Sequence, residues 1–145
     1  MKLLKKKISI TLILLIIISS FSFINHSYFN SDDILGIYQS PNKKSKIKFI
    51  EKNGLYFGVL IWNINPKIKD KFNTDKNLIG QAIFKNLTYN KYEHSWTGKF
   101  YDPESGITYD CDLWLENAKR NLMARGYIET PFIGRTEMLK RIAKD

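Results

Sequence analysis

One segment, residues 96–109, most restricts what this chain can fold into. Its middle reads Asp102-Pro103-Glu104-Ser105-Gly106, which has the chemistry of a tight turn. The Asp side chain can accept hydrogen bonds from the turn backbone, Pro fixes φ, and Gly tolerates a positive φ. On both sides, apolar and polar residues alternate, as they do in strands with one buried face. The segment therefore predicts a β-hairpin and, with it, an antiparallel β fold.

The same alternation recurs further along the chain and predicts eight short strands. Asn53-Gly54, between the second and third of them, suits the type I′ turn of a hairpin. The last segment also fits a short helix. The predicted strands are 36–39, 46–51, 55–63, 81–87, 95–101, 107–116, 122–128 and 136–142. Without a βαβ pattern they indicate a sandwich or an up-and-down barrel, and eight strands close around either packed side chains or one small ligand.

The first 30 residues have the pattern of a targeting segment. Four lysines among residues 2–7 precede an apolar run at 8–24, the arrangement of a secretory signal peptide. The run also reaches the short limit for an uncleaved membrane anchor. Both interpretations place residues 31–145, the one predicted domain, outside the cytoplasm. The protein is expected in the periplasm or secreted, or else anchored to the inner membrane.

Charge does not favour a nucleic-acid partner. The chain has 23 Lys and Arg against 14 Asp and Glu, a net charge of +9, but four of the lysines lie in the targeting segment. The remaining domain has a net charge of +5, and it is expected outside the cytoplasm. We therefore expect no nucleic acid as a partner. Membrane contact is expected only through residues 8–24 if they stay uncleaved, and the sequence leaves the oligomeric state open.

The sequence contains no clear catalytic or metal-binding arrangement. Cys111 is the only cysteine, so no internal disulfide can form, and we expect it to be a small buried apolar residue. A Cys–His pair would need His94, the only histidine of the domain. Asp110 and Asp112 share one strand face, which fits paired acid–base carboxylates but is expected to be a solvated outer face. The chain is therefore not expected to be an enzyme, and no metal or cofactor is expected.

Aromatic residues crowd the central strands and suggest an apolar cavity with a few polar groups. The expected partner is a small apolar or amphipathic ligand. Both faces of strand 55–63 are apolar, so this strand can line an interior and also be covered outside. The residues expected to bind the ligand are Phe57, Val59, Ile61, Trp96, Phe100, Tyr109, Arg125 and Tyr127.

A lysine-rich segment, 64–78, interrupts the strands and is expected to form a loop. Lys67, Lys69 and Lys71 near a barrel mouth would favour an anionic head group. The alternative function uses this loop or the outer face of the barrel to contact another envelope component or anionic lipid. In that case, the barrel interior is filled with side chains.

Several of these segments resemble one known family. Residues 98–109 read Gly-Lys-x-Tyr-Asp-Pro-x-x-Gly-x-x-Tyr, and Arg125-Gly126-Tyr127 and Gly134-Arg135-Thr136 follow. In combination they are similar to the bacterial family called domain of unknown function 2147, over about residues 35–142. The resemblance implies a secreted or periplasmic lipocalin-like (calycin) barrel and no established activity.

The resemblance also implies structural roles for particular residues. In such barrels a late Arg typically covers the aromatic residue of the first strand. We therefore expect Arg141 to stack on Tyr38, which stands where the family usually has Trp. Structural roles are expected for Gly36, Tyr38, Asp102, Pro103, Gly106, Gly126 and Arg141.

Overall fold

The computed structural model describes residues 29–72 and 75–144. The predicted targeting segment lies outside the described residues, apart from its last two positions. Within the described part, no helix has the length and apolar character needed to cross a bilayer. A short 3-10 helix, Ser31–Ile34, precedes eight strands. The strands are β1 (Gly36–Gln39), β2 (Ser45–Lys52), β3 (Leu55–Asn63), β4 (Ala82–Asn90), β5 (Ser95–Tyr101), β6 (Thr108–Glu116), β7 (Asn121–Tyr127) and β8 (Gly134–Ala143).

The eight strands form one closed antiparallel barrel, ordered as in the sequence. Each strand pairs with the next, and β1 pairs with β8, where Tyr38 lies opposite Arg141. The predicted all-β, single eight-stranded lipocalin-like barrel is confirmed. The alternative helix at 136–142 is wrong, because β8 pairs with both β7 and β1. Because the barrel is closed, it has no unpaired sheet edge. This closure depends on β8, because only a strand can pair with both β7 and β1.

The turn at Asn53-Gly54 sets the register between β2 and β3. Both residues have positive φ, 56° and 78°, as a type I′ turn requires. This turn places Phe49 opposite Gly58. Phe49 is fully buried, so the β3 side chains that share its face point into the barrel. These inward residues of β3 are Tyr56, Gly58 and Leu60.

The 3-10 helix plugs one end of the barrel. Asn30 caps the helix, and its Oδ1 accepts a hydrogen bond from the Asp32 N–H at 2.9 Å. Ile34 is fully buried. The Trp96 indole N–H donates to the Ser31 carbonyl at 3.2 Å, which fastens the helix to β5. We call this the plugged end.

The other end carries the longer loops, and we call it the open end. Its loops are 40–44, 64–81, 102–107 and 128–133. In the longest loop, Lys69 and Asn77 form an antiparallel bridge, and Leu78 is buried. Lys71 Nζ donates to the Ser105 carbonyl at 3.0 Å. The lysine-rich segment is therefore folded onto the barrel and onto the neighbouring β5–β6 hairpin.

Candidate ligand cavity

A cavity of about 760 Å³ enters the barrel from the open end. Pockets that hold small organic molecules have roughly 300–1,000 Å³. Its inner walls are apolar, and residues of all four open-end loops surround its mouth. The apolar residues of the inner walls are Ile47, Leu60, Ile83, Phe84, Phe100 and Leu139. The volume of this cavity falls within that range.

Two small residues of β7 leave part of this space open. Ala124 and Gly126 both line the cavity, and neither has a side chain that reaches across it. A Cβ added at Gly126 would lie 3.7 Å from the Cβ of Tyr109, which is ordinary van der Waals contact. The barrel therefore has room for a larger side chain at this position, and that room belongs to the cavity.

Stacked aromatic rings form part of the inner wall. The ring centroids of Phe84 and Phe100 are 4.7 Å apart, and those of Phe49 and Phe84 are 5.4 Å apart. Gly58 of β3 allows this packing, because a Cβ there would lie 2.8 Å from Phe84 Cδ2. Aromatic pairs at these separations add to the stability that burial provides. This part of the wall is thus a closely packed apolar surface.

An ion pair from β8 lies at the mouth of the cavity. Glu137 is opposite Ala124 and Arg135 is opposite Gly126, so both face the side of the sheet that lines the cavity. Arg135 Nε is 2.6 Å from Glu137 Oε1. The Arg135 side chain is 87% exposed and that of Glu137 is 40% exposed, so Glu137 lies the deeper of the two. A carboxylate is therefore available inside the mouth of the cavity.

Cys111 lies at the cavity wall, and its thiol is buried. Burial, and then the charge of Asp112, raise the pKa of the Cys111 thiol to about 12. A thiol of this kind stays protonated and is a poor nucleophile at neutral pH. His94 lies at the plugged end, where its Nδ1 is 3.0 Å from the Tyr89 hydroxyl. The two residues therefore do not form a catalytic pair.

The two aspartates of β6 lie on the outer face of the barrel, as expected. Lys99 Nζ is 2.6 Å from Asp110 Oδ1. The Thr97 hydroxyl donates to Asp112 at 2.8 Å. These contacts run across the neighbouring β5 strand, away from the cavity. The arrangement is that of a solvated sheet surface and not of an acid–base pair in a cleft.

The structure does not bring Phe57, Val59 and Ile61 to the cavity. They alternate with the three inward residues of β3 and therefore lie on the outer face. The expectation that they line the interior is wrong. Because both faces of β3 are apolar, the pattern of this strand alone does not reveal its inward face. The inward face is identified by the Asn53-Gly54 turn, which sets the register that pairs the buried Phe49 of β2 with Gly58 of β3.

Three other expected ligand-binding residues have different surroundings. Trp96 is fully buried against the 3-10 helix and does not line the cavity. Arg125 Nε donates to the Pro131 carbonyl at 2.7 Å, so this side chain braces the β7–β8 loop. Tyr127 borders the mouth, and burial, followed by the nearby Asp112 carboxylate, raises the pKa of its hydroxyl. It lies opposite Asp110, so it shares the outer face of the sheet.

Of the expected ligand-binding residues, Phe100 and Tyr109 line the cavity and point into it. The residues that sequence reasoning missed are Ile47, Leu60, Ile83, Phe84, Ala124, Glu137 and Leu139. The sequence predicts a strand at 136–142 but does not show which face of it turns inward. The register of β8 with β7 places the Glu137 carboxylate on the inward face.

The residues with expected structural roles lie mainly at turns and strand contacts. Asp102 orders the β5–β6 turn: its two carboxylate oxygens accept hydrogen bonds from the Glu104 N–H at 2.9 Å and the Ser105 hydroxyl at 2.7 Å. Gly106 has a φ of 74° in the same turn. A Cβ at Gly36 would lie 2.6 Å from the Ala143 carbonyl oxygen. Glycine is thus required where β1 meets the end of β8.

The lysines expected at the mouth do not line the cavity. Lys67 and Lys69 are exposed, and Lys71 donates to the β5–β6 hairpin. None of the three is among the lining residues. These lysines therefore give no reason to expect that the cavity binds an anionic head group.

A closed eight-stranded antiparallel barrel, plugged at one end and open at the other, defines a lipocalin-like protein. Its sequence matches the family model described as "Uncharacterized protein conserved in bacteria (DUF2147)" over residues 36–141. The match runs from the start of β1 into β8, and the chain belongs to this family. The resemblance recognised in the sequence is thereby confirmed.

A solved structure supports the same fold. Protein HP1028 from the human pathogen Helicobacter pylori, reported as a member of the lipocalin family, is 21% identical to this chain. The TM-score is 0.57, and the alignment covers 75% of this chain and 82% of that one. At this identity the likeness concerns the fold alone. No curated protein matches this chain in sequence.

Proposed function

We propose that this protein is a non-catalytic binding protein for a small apolar or amphipathic molecule. The observation that carries the proposal is the open cavity of about 760 Å³ inside the barrel. Eight-stranded barrels are wide enough to hold one small ligand. Apolar walls with a few polar groups are the usual composition of such sites.

The chemistry of the lining supports binding over catalysis. The Cys111 thiol is held in its neutral form by burial. The nearby carboxylates of Asp110 and Asp112 are engaged on the outer face. The Glu137 carboxylate is already paired with Arg135.

The proposal is tested by filling the cavity from β7. The fluorescent probe N-phenyl-1-naphthylamine should bind the wild-type full chain with one site. Gly126→Leu should weaken this binding by at least about tenfold, because the new side chain occupies the space beside Tyr109. Met123→Leu, on the outer face of the same strand, is the matched control and should bind as the wild type does.

Two results would overturn the proposal. One is a wild-type protein that binds no probe and carries no co-purified small molecule in native mass spectrometry. The other is unchanged probe binding in Gly126→Leu while its circular dichroism and urea midpoint show a folded barrel.

Export from the cytoplasm is part of the proposal. It is supported by the lysines at 2–7 and the apolar run at 8–24. A chain tagged at its C-terminus and expressed in a bacterial host should fractionate with the envelope or the medium. Intact mass then distinguishes a cleaved signal from a retained anchor. Recovery of the full-length chain in the cytoplasm would contradict export.

A second candidate function is docking of the open end on an anionic lipid surface. Phe132 and Ile133, at the tip of the β7–β8 loop, are 94% and 79% exposed. Lys43 and Lys44 lie in another loop of the same end, so apolar tips and positive charges are presented together. The open cavity argues against the version of this function in which side chains fill the barrel.

Vesicle sedimentation tests this second function. The protein should co-sediment with phosphatidylglycerol vesicles and lose this binding in Phe132→Ser with Ile133→Ser. Tyr92→Ser removes an equally exposed aromatic residue from the plugged end and should have no effect. Equal loss in both variants, or no sedimentation at low salt, would overturn it.

A further inference from the structure

The charges that line the cavity are opposite in sign to the charge of the chain. The chain has a net charge of +9. None of the lysines that the structure describes lines the cavity. The charged lining residues are Asp102, Glu104, Glu129, Glu137 and Arg135. Four carboxylates against one guanidinium make the cavity of this basic protein a region that attracts cations.

Glu137 brings this negative charge inside the barrel. It lies on β8 opposite the small Ala124, so its carboxylate faces open space and not a packed neighbour. Its Oε1 forms the ion pair with Arg135, and neither of its carboxylate oxygens accepts a hydrogen bond within the described part of the chain. The Arg135 side chain is almost wholly in solvent, where an ion pair contributes little and exchanges easily. A ligand cation can therefore share or replace Arg135 at this carboxylate.

Aromatic rings complete the environment that an organic cation requires. Tyr109 and Phe100 line the cavity on the β5–β6 side, across Gly126 and Ala124 from the carboxylate. Aromatic faces attract ammonium groups, and rings of this kind recognise quaternary ammonium ligands. In the described chain, neither ring is covered by a Lys or Arg of the protein.

We infer that the ligand of this cavity is an amphipathic organic cation, an alkyl amine or alkyl quaternary ammonium compound. Its positive group lies near Glu137 and the rings of Tyr109 and Phe100, and its apolar part packs against the Phe84 wall. This inference rests on the proposed binding function and narrows it to one charge class. An anionic amphiphile would meet four carboxylates and a single, already paired Arg135.

The experiment compares three ligands that share one alkyl chain: decyltrimethylammonium, decanol and decanoate. Each is titrated below its aggregation concentration against the full chain carrying the naphthylamine probe, at neutral pH and low salt. Decyltrimethylammonium should displace the probe with an affinity at least about tenfold higher than that of decanoate, because its charge is attracted by the carboxylates and the aromatic rings. Glu137→Gln should remove about tenfold of the decyltrimethylammonium affinity and leave decanol unchanged.

Glu93→Gln is the matched control, because this exposed carboxylate lies in the β4–β5 turn at the plugged end and does not line the cavity. It should change decyltrimethylammonium affinity less than about threefold, since the charge there is screened by solvent. Arg135→Gln should raise the affinity for the cation, because it removes the competing partner of Glu137.

The outcomes separate this inference from the proposed function. The inference is overturned if decanoate binds as tightly as decyltrimethylammonium, or if Glu137→Gln keeps the same preference for the cation over decanoate. In either case, binding of decanol would still support the cavity as a ligand site. Failure of all three ligands and of the probe overturns the binding function itself, and the inference with it.

Discussion

The guanidinium of Arg141 lies over the ring of Tyr38, with Cζ 4.7 Å from the ring centroid. The same group donates from Nε to the Lys119 carbonyl at 2.9 Å and from its other nitrogens to the carbonyls of Leu35 and Asp33. One side chain of the last strand thus covers the aromatic residue of the first strand and holds the plug in place. The stacking predicted from the sequence is present.

Loss of this side chain should therefore destabilise the barrel. We expect Arg141→Ala to lower the free energy of unfolding by about 2–4 kcal/mol, because three carbonyls lose their donor. Urea denaturation measures the change. Arg120→Ala, an exposed arginine of the β6–β7 turn, should change it by less than about 0.5 kcal/mol. Equal effects of the two substitutions would contradict this role.

The hydroxyl of Tyr38 is buried and has no hydrogen-bond partner among the described residues. Burial raises the pKa of Tyr38, against the opposing effect of Arg141. Tyr38→Phe should therefore leave stability unchanged or raise it by up to about 1 kcal/mol. Tyr56→Phe is the comparison, since its hydroxyl donates to Asp32 at 2.6 Å, and it should cost about 1–2 kcal/mol. A larger loss for Tyr38→Phe in thermal denaturation would reveal an unrecognised partner.

Two inward glycines should respond in opposite ways to alanine. The pairing of β4 with β5 shifts register between Lys85 and Thr88, which forms a bulge in β4. At Gly98, beside this bulge, a Cβ would lie 2.7 Å from the Lys85 carbonyl oxygen, so Gly98→Ala should cost about 1–3 kcal/mol. At Gly126 the nearest atom is 3.7 Å away, so Gly126→Ala should be neutral or stabilising by up to about 1 kcal/mol. Chemical denaturation ranks the two variants. The reverse order would show that the cavity wall, and not the bulge, is tightly packed.

Stability should fall in alkali because Cys111 is buried. Burial raises its pKa from 9.0 to about 12, so its contribution is complete below pH 9 and is lost as the pH rises from 9 to 12. At about 1.4 kcal/mol per pKa unit, the wild type should lose up to about 4 kcal/mol more than Cys111→Ala over that interval. Urea denaturation across this pH range isolates the thiol, since the tyrosines titrate in both proteins. Parallel curves would show that the thiol is accessible to water.

The predicted strands agree with the structure because their signals are local. The bounds of β1, β3 and β5 were predicted to the residue, and the Asn53-Gly54 and 102–106 turns lie where their chemistry requires. The candidate site was predicted far less well. Phe100 and Tyr109 line the cavity, whereas Phe57 lies on the outer face and Trp96 belongs to the plug. Burial depends on what packs against each face, which lies elsewhere in the chain.

The sequence by itself determined an all-β barrel of one family, because period-two alternation and turn chemistry act between residues that are neighbours in the chain. Only the tertiary structure decided that the barrel is open at one end and that the charged residues around its cavity are mostly acidic. Ala124, Gly126 and Glu137 come together through the pairing of β7 with β8, and Tyr109 joins them through β6. Barrel closure decides which face of each strand turns inward. It pairs β1 at the start of the fold with β8 at its end, and these strands are far apart in the sequence.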